Sequence, residues 1–579
     1  MYCSQLALPL RKIYAPMSYK IDFSPKIIDS LKGYSKEKFF ADLMAGVIVG
    51  IVALPLAIAF GIASGVTPEK GIITAIIAGF IISLLGGSSV QIGGPTGAFI
   101  VIVYGIIEKY GIEGLAIATL IAGFILILMG VLKLGTIIKF IPYPIVVGFT
   151  SGIALIIFST QIKDLLGLSA ATPGDFLGKW EVYFTHLTEI NWWAAATGLV
   201  SIAIIVAWSK VSKKIPGSLV AIIAVTVTAY LLKSYLGIEE IETIGDRFSI
   251  KAELPEPTLL KINMETIQAL LSPAFTIAIL GAIESLLSAT VADGTIGEKH
   301  NSNTELIAQG VANIASPLFG GIPATGAIAR TMTNINNGGR TPIAGIIHAV
   351  VLLFILLFVS NLAKHIPMAC LAGILVVIAY NMSEWRTFRS LLKGPKSEAA
   401  VLLTTFGLTV IFDLTIAIEI GLLMAMLLFM KRISETTKIS VSKDIIDLSQ
   451  ESETPIKEEK LILPDEVEVY EIEGPFFFGI ANKFDESMRV IGGKKPKIRI
   501  IRMRHVPFMD TTGLHNLEIL WRNSKKEGIE IHLSGVNERV TALLVNSGLA
   551  DEIGKDKIHS NINIAVEKVT ERMKELSGN

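Results

Sequence analysis

Cysteine is almost missing from this 579-residue chain: Cys3 and Cys370 are the only two. They are too few and too far apart to build a disulfide framework or a thiolate metal site. The eight histidines show no HExxH motif and no pair at ligand spacing, so neither a metal nor another cofactor is expected. Net charge is absent too, because 51 Lys and Arg offset 51 Asp and Glu, and no polybasic run occurs. Nucleic acid therefore has no electrostatic footprint to bind. There is no GxxxxGK[ST] loop to drive an ATP-powered pump, and no Ser/His/Asp constellation to suggest an enzyme. The first forty residues lack a short apolar core ending in small residues, so no cleavable leader is expected.

What the chain has is apolar length. Hydrophobic residues make up 51% of it and its mean hydropathy is +0.59, which a soluble protein of this size rarely reaches. The charges crowd at one end, filling about 32% of positions in 431–579 against about 13% before it. Four regions are expected: an N-terminal arm 1–41, a membrane domain 42–431, a linker 432–461 with helical potential, and a soluble domain 462–579. Within the membrane domain, apolar stretches recur fourteen times, most of them long enough to cross roughly 30 Å of hydrocarbon. The third (97–108) and tenth (325–334) are too short to cross alone, and the last two are joined so tightly at Asp413 that they also fit a re-entrant pair. An even count, with Arg11, Lys12, Lys20, Lys26, Lys32, Lys36 and Lys38 before the first span, places both termini in the cytoplasm. The expected location is a bacterial inner membrane, with lipid around the spans.

The two short segments are the most informative. Each is entered through a Gly/Pro break, GGPTGA at 93–98 and GGIPATGA at 320–327, and each break ends in Thr-Gly-Ala. They stand seven segments apart, an odd number, so the copies run in opposite directions: an inverted repeat of 42–236 and 272–431. Irregular backbone at mid-membrane depth survives only inside protein or against a watery cavity. Each helix that starts after such a break points unpaired N–H groups and about half a positive charge at the gap. Two starts converging from opposite faces favour an anion. Thr96 and Thr325 offer hydroxyl donors. The competing reading makes the breaks simple packing kinks.

Two ionisable residues sit where they are costly. Glu284, in GAIESLL, lies mid-way along the eighth segment and suits a proton-coupling role. Arg330, in TGAIAR, supplies a full positive charge one turn past the second helix start. Ser288, one turn beyond Glu284, can bond the carboxyl or a bound cation. The competing reading is a structural Glu284–Arg330 ion pair. Asp42, Asp293, Asp413 and Glu419 read as solvated or helix-capping residues.

After the membrane domain, strands near 466–473, 497–504 and 528–534 alternate with helices near 480–491, 512–526, 537–547 and 561–576, giving a small α/β domain. In HVPFMDTTGLHNLEIL, Asp510, Thr511 and Thr512 open a helix as an N-cap. A phosphorylatable or partner-read hydroxyl is the sharper reading.

At these residues the sequence resembles the SulP anion permease family, called solute carrier family twenty-six in animals. The likeness rests on ADLMAGVIVGIVALPLAIAFGIASG, GGPTGAF, GFTSGIALI, GAIESLL, GGIPATGAIAR and the terminal MDTTGL of a STAS domain. The resemblance implies a seven-plus-seven inverted repeat of fourteen segments with half-helices at segments 3 and 10, a core and a gate, a homodimer, and cytoplasmic STAS domains that bind a protein partner. It places Phe60, Thr96, Gly97, Ala98, Gly326, Ala327, Ile328 and Arg330 around the substrate, with Glu284 and Ser288 for the coupling ion. Cyanobacterial bicarbonate carriers of the family have Asp where Glu284 stands, beside a Na+ site, and a Thr where Ile328 stands. Both departures favour H+ over Na+. GAIESLL, IKDLLGL and NMSEW are most like the DauA-type C4-dicarboxylate transporters. The resulting expectation is an H+-coupled symporter of a C4-dicarboxylate, bicarbonate or sulfate. A Na+-coupled permease, an anion channel, a nucleobase carrier and a membrane-anchored STAS scaffold are the alternatives.

Overall fold

The computed structural model describes residues 23–577 apart from 137–140, 213–214, 250–252, 254–256, 258–262, 359, 413, 443–444, 448–459 and 481–494. The chain divides into two compact units, Met1–Leu423 and Met424–Asn579.

The fourteen apolar stretches are fourteen helical segments. Spans 1 and 2 are Lys36–Ala63 and Pro68–Leu85. Spans 3 and 4 share one run, Gly97–Val131, broken at Gly111 (φ 70°, ψ −176°). Spans 5 to 9 are Tyr143–Leu166, Trp192–Trp208, Gly217–Leu236, Met264–Ile296 and Ser302–Leu318. Spans 10 to 14 are Ile328–Asn336, Pro342–Phe358, Met368–Met382, Lys396–Ile411 and Leu414–Thr436. Asp413, between the last two, lies outside the described residues.

Packing sorts the spans into two bundles. Spans 1–4 pack with 8–11, while span 5 packs with 12 and 13, and span 12 with 6 and 7. Small residues set a close crossing where spans 4 and 9 meet at Gly123 and Gly310. A β-carbon on either would lie within 2.7 Å of the other's carbonyl oxygen. With no hydrophobic drive between helices in lipid, such close backbone contact is what holds them together.

Asp42 ties span 1 to span 11. It is 1% exposed and accepts hydrogen bonds from Tyr34 Oη (2.9 Å), Arg340 N (2.9 Å), Thr341 N (3.2 Å) and Thr341 Oγ1 (2.6 Å). It is a capping residue, but for a helix nearly 300 positions away in sequence, which no local pattern encodes. Asp293 pairs with His300 at 2.7 Å, and Ser272 Oγ donates to Glu419 at 3.0 Å.

The second unit holds a five-stranded sheet in the order Lys438–Ser442, Val467–Glu473, Ile498–His505, Glu530–Ser534, Ile558–His559. The first pair is antiparallel and the others parallel. Three of these strands match the sequence reading. The edge strand Lys438–Ser442 corrects it, since that segment reads as helix-prone linker; Ile439 and Val441 alternate with polar neighbours and pack on the sheet's core. The helices Thr511–Lys526, Glu538–Asn546 and Ile562–Ser577 fall where expected, while the one expected at 480–491 lies almost wholly outside the described residues.

Two buried histidines join the last parallel pair. His532 Nδ1 and His559 Nε2 are 2.9 Å apart and the rings stack at 7°. One nitrogen must donate and the other accept, so at least one ring must be neutral and a doubly protonated pair loses the contact. Burial, then the charges of His559 and Lys557, holds His532 down at about 4, and burial lowers His559 as well. The folded state therefore binds fewer protons than the unfolded chain below the usual histidine value of about 6.5. Stability from this pair is complete above that value and is lost as pH falls toward about 4. Hydrogen exchange at Ile558–His559 is expected to quicken between these limits in the wild type but not in His532→Asn. Exchange independent of pH, once corrected for its intrinsic rate, would contradict the assignment.

Candidate functional site

The two Gly/Pro breaks meet. Gly93–Gly94 and Thr325–Gly326 form a two-stranded antiparallel ribbon, Gly93 opposite Gly326 and Gly94 opposite Thr325, inside the bundle of spans 1–4 and 8–11. The ladder extends through Ala327 N to Ile92 O (2.9 Å), and Thr331 Oγ1 accepts from Ile92 N (3.0 Å). This satisfies backbone groups that lipid could not. Beyond the ribbon the chain enters a 3-10 turn, Gly97–Phe99, leading into span 3, and on the other side span 10. In span 10 the first backbone bond is Thr331 N to Ala327 O, leaving the N–H groups of Ile328, Ala329 and Arg330 as the free start of the helix.

Both starts face a cavity of about 500 Å³ between the two bundles. Phe60, Thr96, Gly97, Ala98, Ala327, Ile328, Arg330 and Glu284 line it from one side, while spans 5, 6, 7 and 12 close the other. Eight of the ten residues singled out in the sequence therefore share one cavity. Gly326 and Ser288 do not line it. Gly326 is in the ribbon, its N–H bonded to Ser285 Oγ at 3.1 Å, and Ser288 Oγ donates to Thr331 Oγ1 at 3.4 Å.

The threonines differ. Thr325 Oγ1 is committed to Ser285 Oγ (2.6 Å) and Gly281 O (3.0 Å). Thr96 Oγ1 has no partner, so its hydroxyl is the one available to a ligand. Arg330 is 2% exposed; its Nη2 donates to Pro95 O, and its Nη1 has no partner. Among the described residues, no hydrogen bond or ion pair engages Glu284, and none joins it to Arg330. The site thus offers two helix starts, a hydroxyl, a buried positive charge and an unpaired carboxyl. These groups can hold a small anion and a proton.

Residues 39–405 match the sulfate permease family, and residues 461–565 match the STAS domain. The chain belongs to the sulfate permease family. A relative in Bacillus subtilis (strain 168), YvdB, is 43% identical over 526 residues, covering 90% of this chain and 96% of its own. Bicarbonate transporter BicA of Picosynechococcus sp. is 31% identical, covering 89% of this chain and 92% of its own. The fold is that of murine Slc26a9, an anion transporter solved in the inward-facing state, with a TM-score of 0.83 over 94% of this chain and 93% of that one at 18% identity. Family membership makes the chain a multi-pass membrane anion transporter and not an enzyme.

Sequence reading missed two groups. Glu384 lines the same cavity from span 12's end, with left-handed backbone (φ 40°) and a 3.2 Å hydrogen bond from Tyr143 Oη. Its polar context reads as an ordinary loop. Ser285, which locks the ribbon, looks from the sequence like one more small residue in a membrane helix.

In the second unit, Asp510 caps Thr511–Lys526: its Oδ1 accepts from Gly513 N at 2.7 Å and its Oδ2 from Phe478 N at 3.2 Å. Thr511 is exposed and Thr512 half-buried. Asp510→Ala is expected to cost about 1–2 kcal/mol, read as faster hydrogen exchange along that helix; unchanged exchange would show that the cap contributes nothing.

Proposed function

We propose that the chain is a secondary active transporter that carries a small anion together with H+ by alternating access. The observation that carries this reading is Glu284, an unpaired carboxyl on the same cavity as two free helix starts. An anion docks on the N–H groups at Gly97–Ala98 and Ile328–Arg330, with Thr96 donating its hydroxyl and Arg330 adding charge behind the ribbon. An ionised Glu284 repels that anion, and a proton removes the repulsion. The loaded, near-neutral bundle of spans 1–4 and 8–11 then moves past the other bundle.

Proton coupling is favoured over Na+ because two positions that could complete a cation site beside Glu284 do not: Ser288 is turned toward Thr331 and Ile328 has no side-chain oxygen. With the N-terminus in the cytoplasm, the cavity opens inward, toward the start of span 7 and the end of span 12. At the opposite end, Ser272 of span 8 bonds Glu419 of span 14, which packs on spans 5 and 13. Lys179, on the helix Phe176–Thr185 beside span 5, lies 5.3 Å from the centre of the Tyr104 ring of span 3, so both contacts link the bundles. Those ties must break for the cavity to open outward. Sulfate, bicarbonate and C4-dicarboxylates are the candidate substrates, the first two from the family and from BicA. A second copy of the chain and a cytoplasmic protein bound near Thr511 and Thr512 are the partners.

Uptake of labelled sulfate, bicarbonate and fumarate into proteoliposomes, each under an inward H+ or an inward Na+ gradient, tests the reading. Accumulation driven by H+ is expected for at least one anion. Accumulation driven only by Na+ would overturn the coupling, and no uptake of any would overturn the substrate class.

A further inference from the structure

Arg330 and its surroundings contain an unanswered charge. His348, in the middle of span 11, is fully buried, and neither ring nitrogen makes a hydrogen bond. With one nitrogen beside the Gly345 carbonyl, the other is left unsatisfied in a packed interior at a cost of about 1–3 kcal/mol, so a partner is expected for it.

The geometry points to that partner. A β-carbon on Gly79 of span 2 would lie 3.3 Å from His348 Cε1 and 3.2 Å from Gly93 O, so the ring sits against the first strand of the ribbon. A β-carbon on the next residue, Gly94, would overlap Arg330 Nη1, so the free guanidinium nitrogen lies against that same strand. One ring nitrogen has the Gly345 carbonyl beside it, and Arg330 is the charged group whose field falls on the ring. Placing the ring proton toward Gly345 leaves the other nitrogen as an acceptor, the complement of Nη1.

We propose that His348 is a positioning residue for the anion site: its imidazole accepts from Arg330 Nη1 through a bridging water and holds the guanidinium under the ribbon. Pro95 O fixes one arm of the fork and His348 fixes the other, so the positive charge cannot swing away from the two helix starts. This rests on the anion reading above, and predicts an effect on affinity more than on turnover.

The test uses the full-length chain in proteoliposomes with labelled sulfate and labelled bicarbonate as probes. His348→Leu is expected to raise KM about tenfold, the loss expected of a hydrogen bond to a charged group, with little change in maximal rate. His348→Gln, which keeps an acceptor, is expected to restore most of the affinity. In an Arg330→Lys background, which lacks Nη1, His348→Leu is expected to add nothing. Melting of the purified variants separates this from a packing role, since Leu fills the site without an unsatisfied polar atom and should not lower the midpoint. Should His348→Leu fail to fold, His348→Met carries the same comparison. An unchanged KM, failure of Gln to rescue, or an equal loss in the Arg330→Lys background would overturn the proposal. A wild type that transports neither probe would instead fail the anion reading for these substrates, and this inference with it.

Discussion

Glu284→Gln is expected to abolish H+-driven accumulation while leaving anion binding and anion exchange in place. Gln copies the protonated carboxyl in size and hydrogen bonding but cannot release a proton. One proton moved with each anion lets a pH difference of one unit supply about 1.4 kcal/mol, or about tenfold accumulation at zero membrane potential. The variant should equilibrate its substrate and stop there. Because Glu284 makes no hydrogen bond or ion pair among the described residues, the substitution breaks no structural tie and should not lower the melting midpoint. Preserved tenfold accumulation, measured with labelled substrate against a known pH step, would show that the proton travels elsewhere.

Gly94→Ala should have the larger effect on the protein itself. Gly94 has φ +147° and lies against Arg330 Nη1, where a methyl group has no room. The backbone strain costs about 1–3 kcal/mol. Displacing a buried guanidinium from its acceptor on Pro95 adds roughly 1.5–3 kcal/mol, the scale of a hydrogen bond to a charged group. Together these are a large fraction of the stability of a typical domain, so the expected result is loss of folded protein, or a melting midpoint lowered by many degrees with no uptake. Gly97→Ala is the control: its β-carbon would meet the flexible Met382 Sδ at 3.0 Å, so it should fold while narrowing the cavity. Equal stability of the two variants would contradict the account of the ribbon.

The architecture was legible because membrane spans write themselves in long apolar runs, and because two Gly/Pro breaks ending in Thr-Gly-Ala stand at matching repeat positions. That the breaks pair strand to strand was not legible. Residues 93–94 and 325–326 are too short for a strand signal, and their partner is more than 200 positions away. The same distance hid Asp42 as the cap of span 11. Glu284 and Arg330 were visible because charge inside an apolar run is rare. Where they point was not, and the ion pair weighed in the sequence does not form. Ser288 shows the limit of helical spacing: one turn from Glu284 puts it near the same face, yet its hydroxyl bonds to Thr331 instead. Glu384 and His348 carried no signal, one sitting in a polar turn and the other looking like a packed ring in a hydrophobic helix. In the second unit, Lys438–Ser442 read as linker because an edge strand of alternating polar residues has little hydropathy of its own.

The most direct test of the central claim is to locate the anion. A structure of the full-length chain determined in selenate, with selenium identified by anomalous scattering, is expected to place it within hydrogen-bond distance of the N–H groups at Gly97–Ala98 and Ile328–Arg330, with Thr96 Oγ1 beside it. Selenate bound elsewhere, such as beside Lys109 and Lys179 in the second cavity at the opposite end of the bundles, with the two helix starts unoccupied, would contradict it.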